Sequence, residues 1–209
     1  PLDAVRFISN YSSGRQGHAI AAALAKCGAR VTLVSGPVNI SDPLGVTMVH
    51  VGTAEQMLDA CEAALPADIV ICSAAVADWR AQKWEKGKIK KRSSNTSALT
   101  LSLTENPDIL AHLSSHSQRP ELVIGFAAET SDLETNASEK LRRKGCDWIL
   151  ANAVSTDGSE KTVFGNDQNK VLLMTADGQE EWPKMHKSEL AYKLVQRIIK
   201  TIGPVNAKS

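Results

Sequence analysis

Val5-Arg6-Phe7-Ile8-Ser9-Asn10-Tyr11-Ser12-Ser13-Gly14-Arg15-Gln16-Gly17 is the stretch whose reading decides the fold of this chain. Val5 to Ser9 reads as a strand, residues 10–16 as a short Ser/Gly loop, and Gly17 to Lys26 as an Ala-rich helix. A helix that starts just after such a loop has unpaired backbone N–H groups and the positive end of its dipole facing outward. That geometry suits a phosphate or another anion. Gly14 and Gly17 allow close backbone approach, and Asn10 stands at the carboxyl end of the strand, where open α/β sheets gather their reactive groups.

Working outward, the same alternation continues. Gly28 is placed to end the first helix, followed by strands at Arg30–Ser35 and Gly45–Val51. Thr53 caps a helix through Leu65, with Gln56 three residues on for a capping box. Asp68 to Cys72 is continuously apolar, as a strand buried on both faces should be. Asn106-Pro107 starts a helix to about His116, with Asp108 in its first turn. Leu122–Ala127 is a buried strand, Leu133–Lys144 a helix, and Trp148–Asn152 a last parallel strand. Residues 170–183 read as an antiparallel pair turning at Asp177-Gly178, and Ser188–Ile202 as a closing amphipathic helix. The expected fold is α/β: a doubly wound, mostly parallel Rossmann-like sheet with helices on both faces and a small antiparallel extension. One domain over residues 1–203 is expected, with 204–209 as a tail.

Residues 78–98 break the pattern and read as one long loop. Lys83, Lys86, Lys88, Lys90, Lys91 and Arg92 cluster there. Two readings stand: a solvated surface loop, or a flap whose ammonium groups close over a polyphosphate. The position just past a strand's carboxyl end favours the flap.

Composition narrows the function. The 209 residues are 43% hydrophobic, enough for a packed core, and the formal net charge of +1 gives no global basic field for nucleic acid. Cys27, Cys61, Cys72 and Cys146 are scattered without a C-x-x-C pair, which fits free thiols in a reducing cytoplasm. No apolar run approaches the ~20 residues of a membrane span, and no signal peptide opens the chain. The abrupt start at Pro1-Leu2-Asp3 suggests a piece of a longer protein.

Oxidoreductase signatures fail. G-x-G-x-x-G would need Gly where Ser12 stands, and Ser35-Gly36 occupies the place of the ribose-binding acid. Tyr11 and Tyr192 are followed four residues on by Arg15 and Gln196, so no Tyr-x-x-x-Lys pair exists. A Walker-type loop is also missing. His112 and His116 share a helix face but lack the H-E-x-x-H glutamate and a visible third ligand, so they read as surface histidines. Lys140, Arg142, Arg143 and Lys144 suit the end of a helix on dipole grounds alone. Asp78 reads equally as a ligand contact or a turn residue. Asn10 suits an activated acyl group, since its amide both donates and accepts, or it merely shapes the turn.

Asp3-x-Val5-Arg6-Phe7-Ile8-Ser9-Asn10-Tyr11-Ser12-Ser13-Gly14 closely resembles the opening of the phosphopantothenate–cysteine ligase family. The likeness continues through residues 74–79, Lys88-Ile89-Lys90-Lys91, Asn106-Pro107-Asp108-Ile109 and Gly125-Phe126-Ala127-Ala128-Glu129-Thr130. It extends to Ala151-Asn152-x-Val154-Ser155 and Phe164-Gly165-x-Asp167-x-Asn169. These blocks run in family order from residue 3 to about 170. Tyr11 and Arg15 depart from the commonest pattern, where His and Lys stand.

The resemblance implies a CTP-dependent ligation in coenzyme A biosynthesis. The carboxylate of 4′-phosphopantothenate becomes an acyl-cytidylate, and the amine of L-cysteine then displaces CMP. It assigns Asn10, Lys88 and Arg6 to catalysis, with Arg6, Asn10 and Ala75 at the acyl substrate. The glycine loop (Ser12, Ser13, Gly14) would take phosphate. Nucleotide contacts carry over to Cys72, Ser73, Ala74, Asp78 and Lys88, to Pro107, Asp108, Ile109 and Leu110, and to Phe126, Lys140 and Lys144. Mg²⁺ is expected through the triphosphate, with no dedicated protein cage. The family also implies a homodimer that uses the 160–183 region, and an N-terminal flavin-dependent decarboxylase domain that leaves this chain without flavin. The alternatives are an NAD(P)-dependent short-chain-type reductase and a non-catalytic nucleotide-binding module.

Overall fold

Neighbouring residues of the middle strands face opposite sides of the sheet, and both sides are covered. The computed structural model describes residues 1–84, 87–88, 99–129, 131–153 and 168–203. The chain runs α1 (Arg15–Lys26), β1 (Val31–Ser35), β2 (Val46–His50), α2 (Ala54–Ala63), β3 (Ile69–Cys72), β4 (Trp79–Ala81) and β5 (Leu103–Glu105). It continues with α3 (Ile109–Ser114), β6 (Leu122–Glu129), α4 (Leu133–Lys144), β7 (Trp148–Ala153), β8 (Gln168–Thr175), β9 (Gly178–His186) and α5 (Lys187–Ile202). The main sheet has the order β3-β6-β7-β8-β9, with the first three strands parallel and the last two antiparallel. β1 and β2 form a separate parallel pair, and β4 and β5 an antiparallel one.

Leu122, Ile124, Trp148, Leu150, Val171 and Leu173 point to one face, under Ile20 of α1 and Leu190, Leu194 and Ile198 of α5. Val123, Ala127, Ile149, Ala151 and Leu172 point to the other, against Leu110 of α3 and Ala137 of α4. Each fully buried Leu or Ile contributes about 1.5–3 kcal/mol relative to exposure, so this alternation fixes the register of β6, β7 and β8. No described helix is long and apolar enough to cross a membrane.

Local signals explain the ends. Gly28 takes φ +86°, while its N–H reaches the Ala25 carbonyl (3.0 Å) and the Ala29 N–H reaches the Leu24 carbonyl (3.1 Å). This is a Schellman closure of α1. Thr53 caps α2 by accepting the Gln56 N–H, but Gln56 reaches one residue beyond the cap and accepts the Gly52 N–H (2.8 Å).

Several expectations are corrected. Val5–Ser9 is not a strand, and Val5 and Phe7 are 62% and 63% exposed. The buried Asp3 carboxylate accepts the N–H groups of Val5 and Arg6 (both 2.9 Å), and the Arg6 carbonyl accepts from Leu2. That local turn takes the groups a strand ladder would need. The long 78–98 loop is stitched at its base, because Trp79–Ala81 pairs with Leu103–Glu105. The β8–β9 turn is Ala176-Asp177, one residue earlier than expected, with Gly178 already paired to Thr175. The helix expected from Asn106-Pro107 spans only Ile109–Ser114, because Asp108 is its N-cap rather than a first-turn residue. Lys86, Lys90, Lys91, Arg92, Thr130, the motif residues Val154, Ser155, Phe164, Gly165 and Asp167, and the 204–209 tail lie outside the described residues. Asn169 is placed only as part of β8.

Candidate active site

Three loops leave the strands and helices at one end of the sheet, and short contacts tie them together. The glycine loop comes first. Gly14 is the N-cap of α1 at φ +70°, and a Cβ there would lie 2.8 Å from Val38 Cγ1, so both backbone and space demand glycine. Gly17 lies in the first turn of α1, and a Cβ on it would sit 2.8 Å from Ser73 Oγ. The start of α1 therefore lies directly against the loop that follows β3. Ser12 Oγ accepts from the Gly14 N–H at a long 3.4 Å.

Asn10 joins the same place. It is exposed, and its Nδ2 donates to the Val76 carbonyl at 3.2 Å. One amide hydrogen is spent on positioning, and the second N–H and Oδ1 remain available for a substrate. Cys72 ends β3, opposite Gly125 in register, and burial pushes its thiol up to about 12. Its thiol is thus neutral rather than an activated thiolate.

The second half of the site is built on α3. Asn106 donates from Nδ2 to the Ala77 carbonyl (2.7 Å) and from its N–H to the Asp78 carbonyl (2.8 Å). This holds Asp78 beside the helix start. Asp108 Oδ1 caps α3 through the Ala111 N–H (3.2 Å), while Oδ2 accepts from Lys144 Nζ at the end of α4. Partial burial raises the Asp108 carboxyl, but the Lys144 and Ala111 hydrogen bonds and the charges of Lys144 and Arg143 outweigh it and hold it below the ordinary value. Lys144 therefore has a specific partner that dipole reasoning missed. Ile109 and Leu110 are buried beneath, and Phe126 lies half-buried in β6.

Lys140 lines a cleft of about 230 Å³ with Glu129, Asn136, Glu139 and Arg143. Burial lowers its ammonium first; Glu129 opposes this, and Lys144 and Arg143 reinforce it. A phosphate would relieve this cationic crowding. The larger cleft, about 440 Å³, lies between the start of α4 and the β8–β9 hairpin, lined by Asp132, Glu134 and Glu181 with a single lysine. Its acidic lining makes it the poorer anion site, despite its size.

Not every residue singled out from the sequence converges. Arg6 is held by Asp3, with Nε at 3.0 Å and Nη2 at 2.5 Å from Oδ2. Lys88 is exposed beside Gly87, and the residues flanking this pair lie outside the described ones. Ser13, Ala74, Ala75 and Pro107 fall on the converging loops. Three residues were given no site role from the sequence. His18 is buried at α1 with Nδ1 at 3.0 Å from the Gly14 carbonyl, and its Nε2 has no partner among the described residues. Asn152 Oδ1, in β7, is likewise buried without one. Asn106 was legible as a helix-start signal and as part of a family block, but was given no role at the site.

The Asp108 cap carries a testable weight. Asp108→Ala should destabilise the chain by about 1 kcal/mol, while Asp108→Asn, an equal cap without the charge, should cost less. Because the folded carboxyl is held low, its contribution is present above the ordinary Asp value and is lost as pH falls through the folded value. Urea melts of both variants at neutral and acid pH measure this. Equal loss in both would mean that the ion pair, not the cap, carries the helix.

Residues 1–202 match the family model described as DNA/pantothenate metabolism flavoprotein C-terminal domain, DFP. The chain belongs to this family. As a DFP domain it is 40% identical over 198 residues to the coenzyme A biosynthesis bifunctional protein CoaBC of Vibrio parahaemolyticus, covering 94% of this chain and 49% of that protein. It is 44% identical over 202 residues to the Escherichia coli K12 protein of the same name, covering 95% and 48%. This DFP domain thus spans about half the length of the curated relatives it matches. The solved C-terminal domain of a CoaBC protein aligns with a TM-score of 0.78 at 35% identity, over 96% of this chain and 89% of that one. The mostly parallel α/β architecture expected from the sequence is therefore the architecture of the DFP domain.

Proposed function

We propose that this DFP domain is the ligase half of a coenzyme A biosynthesis protein, joining 4′-phosphopantothenate to L-cysteine at the expense of CTP. The observation that carries this reading is the convergence of Asn10, the Gly14–Gly17 helix start, the Ser73–Val76 loop and the Asp108–Lys144 pair at one end of the sheet. An acyl-handling amide there meets two cationic or dipolar anion sites. The sequence likeness to two CoaBC proteins supports it.

In this reading the substrate carboxylate attacks the α-phosphorus of CTP and pyrophosphate departs. The amine of cysteine then attacks the acyl carbon, loses a proton and expels CMP. The α1 N-terminus and Lys88 neutralise phosphate charge, and the free N–H of Asn10 Nδ2 steadies the developing oxyanion. Ser12, Ser13 and the α3 start frame the nucleotide, with Phe126, Lys140 and Lys144 beside it. Arg6 and Ala75 flank the acyl substrate. Asp108 is engaged by Lys144 and the Ala111 N–H, and the other groups apart from Asp78 are cations, amides and backbone N–H groups, so Mg²⁺ would be held chiefly by the triphosphate rather than by a protein cage. Cytoplasmic location, a homodimer and a fused flavin-dependent decarboxylase belong to the same proposal.

Supplying phosphopantothenate, CTP and cysteine should release pyrophosphate and CMP in equal amounts. Robust release with ATP but none with CTP overturns the nucleotide assignment, and tight nucleotide binding without turnover favours a sensing module instead. Lys140 gives a second check. Its pKa is lowered in the free chain, and a bound triphosphate raises it. Nucleotide binding should therefore take up protons between that lowered value and about 10.4. Calorimetry in two buffers of different ionisation enthalpy reads the uptake. Its absence would remove Lys140 from the nucleotide site.

A further inference from the structure

α2 and α3 pack side by side, and their last turns lead into β3 and β6. That is the amino end of these strands, opposite the candidate active site. Glu62, in the last turn of α2, meets His112 of α3 there, with Oε1 2.6 Å from Nε2. His116 follows one turn later, its ring centroid 5.7 Å from that of His112. One ligand-type atom from each of the three lies within 4.8 Å of the other two. The third ligand that the sequence did not offer comes from a residue fifty positions away.

We propose that Glu62, His112 and His116 bind a divalent transition metal of the zinc class, with water completing the shell. The donor chemistry fits: two imidazoles and a carboxylate match a three-ligand zinc set, whereas calcium or magnesium would ask for oxygen ligands. The geometry asks for a modest rearrangement, in which the 2.6 Å Glu62–His112 pair opens and ligand atoms up to 4.8 Å apart close. Metal–ligand bonds of about 2.0–2.2 Å put tetrahedral ligand atoms roughly 3.4 Å apart, so the ion replaces the proton now shared by Glu62 and His112. His116 Nδ1 accepts the Gln118 N–H at 3.0 Å. Coordination trades that exposed hydrogen bond for a metal bond, or turns the ring over. Glu62 and His112 are each 40% exposed at the side chain, so the site is open to ions from solvent.

The site has a structural consequence. α3 spans six residues, about 9 Å at 1.5 Å per residue. Asp108 holds its start to Lys144, and the ion would hold its end to α2. The bound ion then acts as a clamp on the helix that presents the nucleotide-facing loop, remote from any reacting atom. The metal site itself is independent of the ligase reading.

The test is a titration of the 209-residue chain with Co²⁺ alone, followed by visible spectroscopy, then displacement by Zn²⁺. One Co²⁺ per chain, with ligand-field bands of nitrogen and oxygen coordination, is expected. Loss of even an outer-shell partner costs about 10–100-fold in metal affinity. Glu62→Gln, His112→Ala and His116→Ala should therefore each weaken binding at least about tenfold. At one fixed concentration, Zn²⁺ should raise the melting temperature of the parent chain more than that of any of the three variants. Glu62→Gln keeps the side-chain volume, so it decides the matter if a histidine change disturbs α3. Intense thiolate charge-transfer bands, or affinity unchanged in the three variants, would overturn the site.

Discussion

Asn10→Asp is expected to leave pyrophosphate release near the parent rate and to slow amide formation by about 10²–10³-fold, the usual loss for one oxyanion donor. The carboxylate has no N–H to offer the acyl oxygen, and its charge opposes the one that develops there. Activation happens at phosphorus and asks nothing of Asn10, so the acyl-cytidylate should accumulate. Quenched single-turnover reactions with labelled CTP would show one equivalent consumed and a nucleotide-linked acyl species persisting. Folding should be little disturbed, because Asn10 is exposed and its side chain is tied by one 3.2 Å hydrogen bond to the Val76 carbonyl. Asn10→Ala separates the effects: it lacks the donor but adds no charge, so it should stall less severely. Normal turnover in Asn10→Asp would remove Asn10 from the acyl step and leave it a loop-shaping residue.

What the sequence revealed, and what it hid, follows from the range of the interactions. The half-buried strand at residues 69–72 and the largely buried run at 122–127 are continuously apolar, and the α4 helix at Leu133–Lys144 closes on Gly145 at φ +66°. Such local patterns need no knowledge of neighbours. Val5–Ser9 also looks like a strand locally, yet Asp3 draws its first N–H groups into a turn. β4 and β5 are three residues each, too short for a periodic signal. The candidate site divides the same way. Its glycine loop was legible because φ +70° at Gly14 and the helix start are properties of adjacent residues. The Asp108–Lys144 tie spans 36 positions, and the Glu62–His112 contact spans 50. Each depends on the packing of one helix against another, and no single-sequence pattern carries it.

Gly125→Val should be the most damaging single change in the sheet, because Gly125 is where the core and the candidate site share space. The residue pairs with Cys72 on one side and Ile149 on the other. A Cβ there would lie 2.5 Å from Leu110 Cδ2 and 2.8 Å from Ile149 Cδ1. Both contacts are side-chain ends, but Ile149 is fully buried and Leu110 nearly so. Neither can swing into solvent. Overpacking of this kind costs about 1–3 kcal/mol; Gly125→Ala should fall in that range, and Gly125→Val at its upper end or beyond. Leu110 has the easier escape, since α3 is a single short helix while Ile149 sits mid-sheet. The strain should therefore push α3 outward and pull Asp108 from Lys144, so the KM for nucleotide should rise more than kcat falls. Leu110→Ala supplies the decisive control. It costs stability alone, but combined with Gly125→Ala it vacates the space that the new methyl needs, so the double variant should be more stable than the sum of the two losses. Urea melts of the four proteins close this cycle. Strict additivity would show that the two residues do not compete for the same volume.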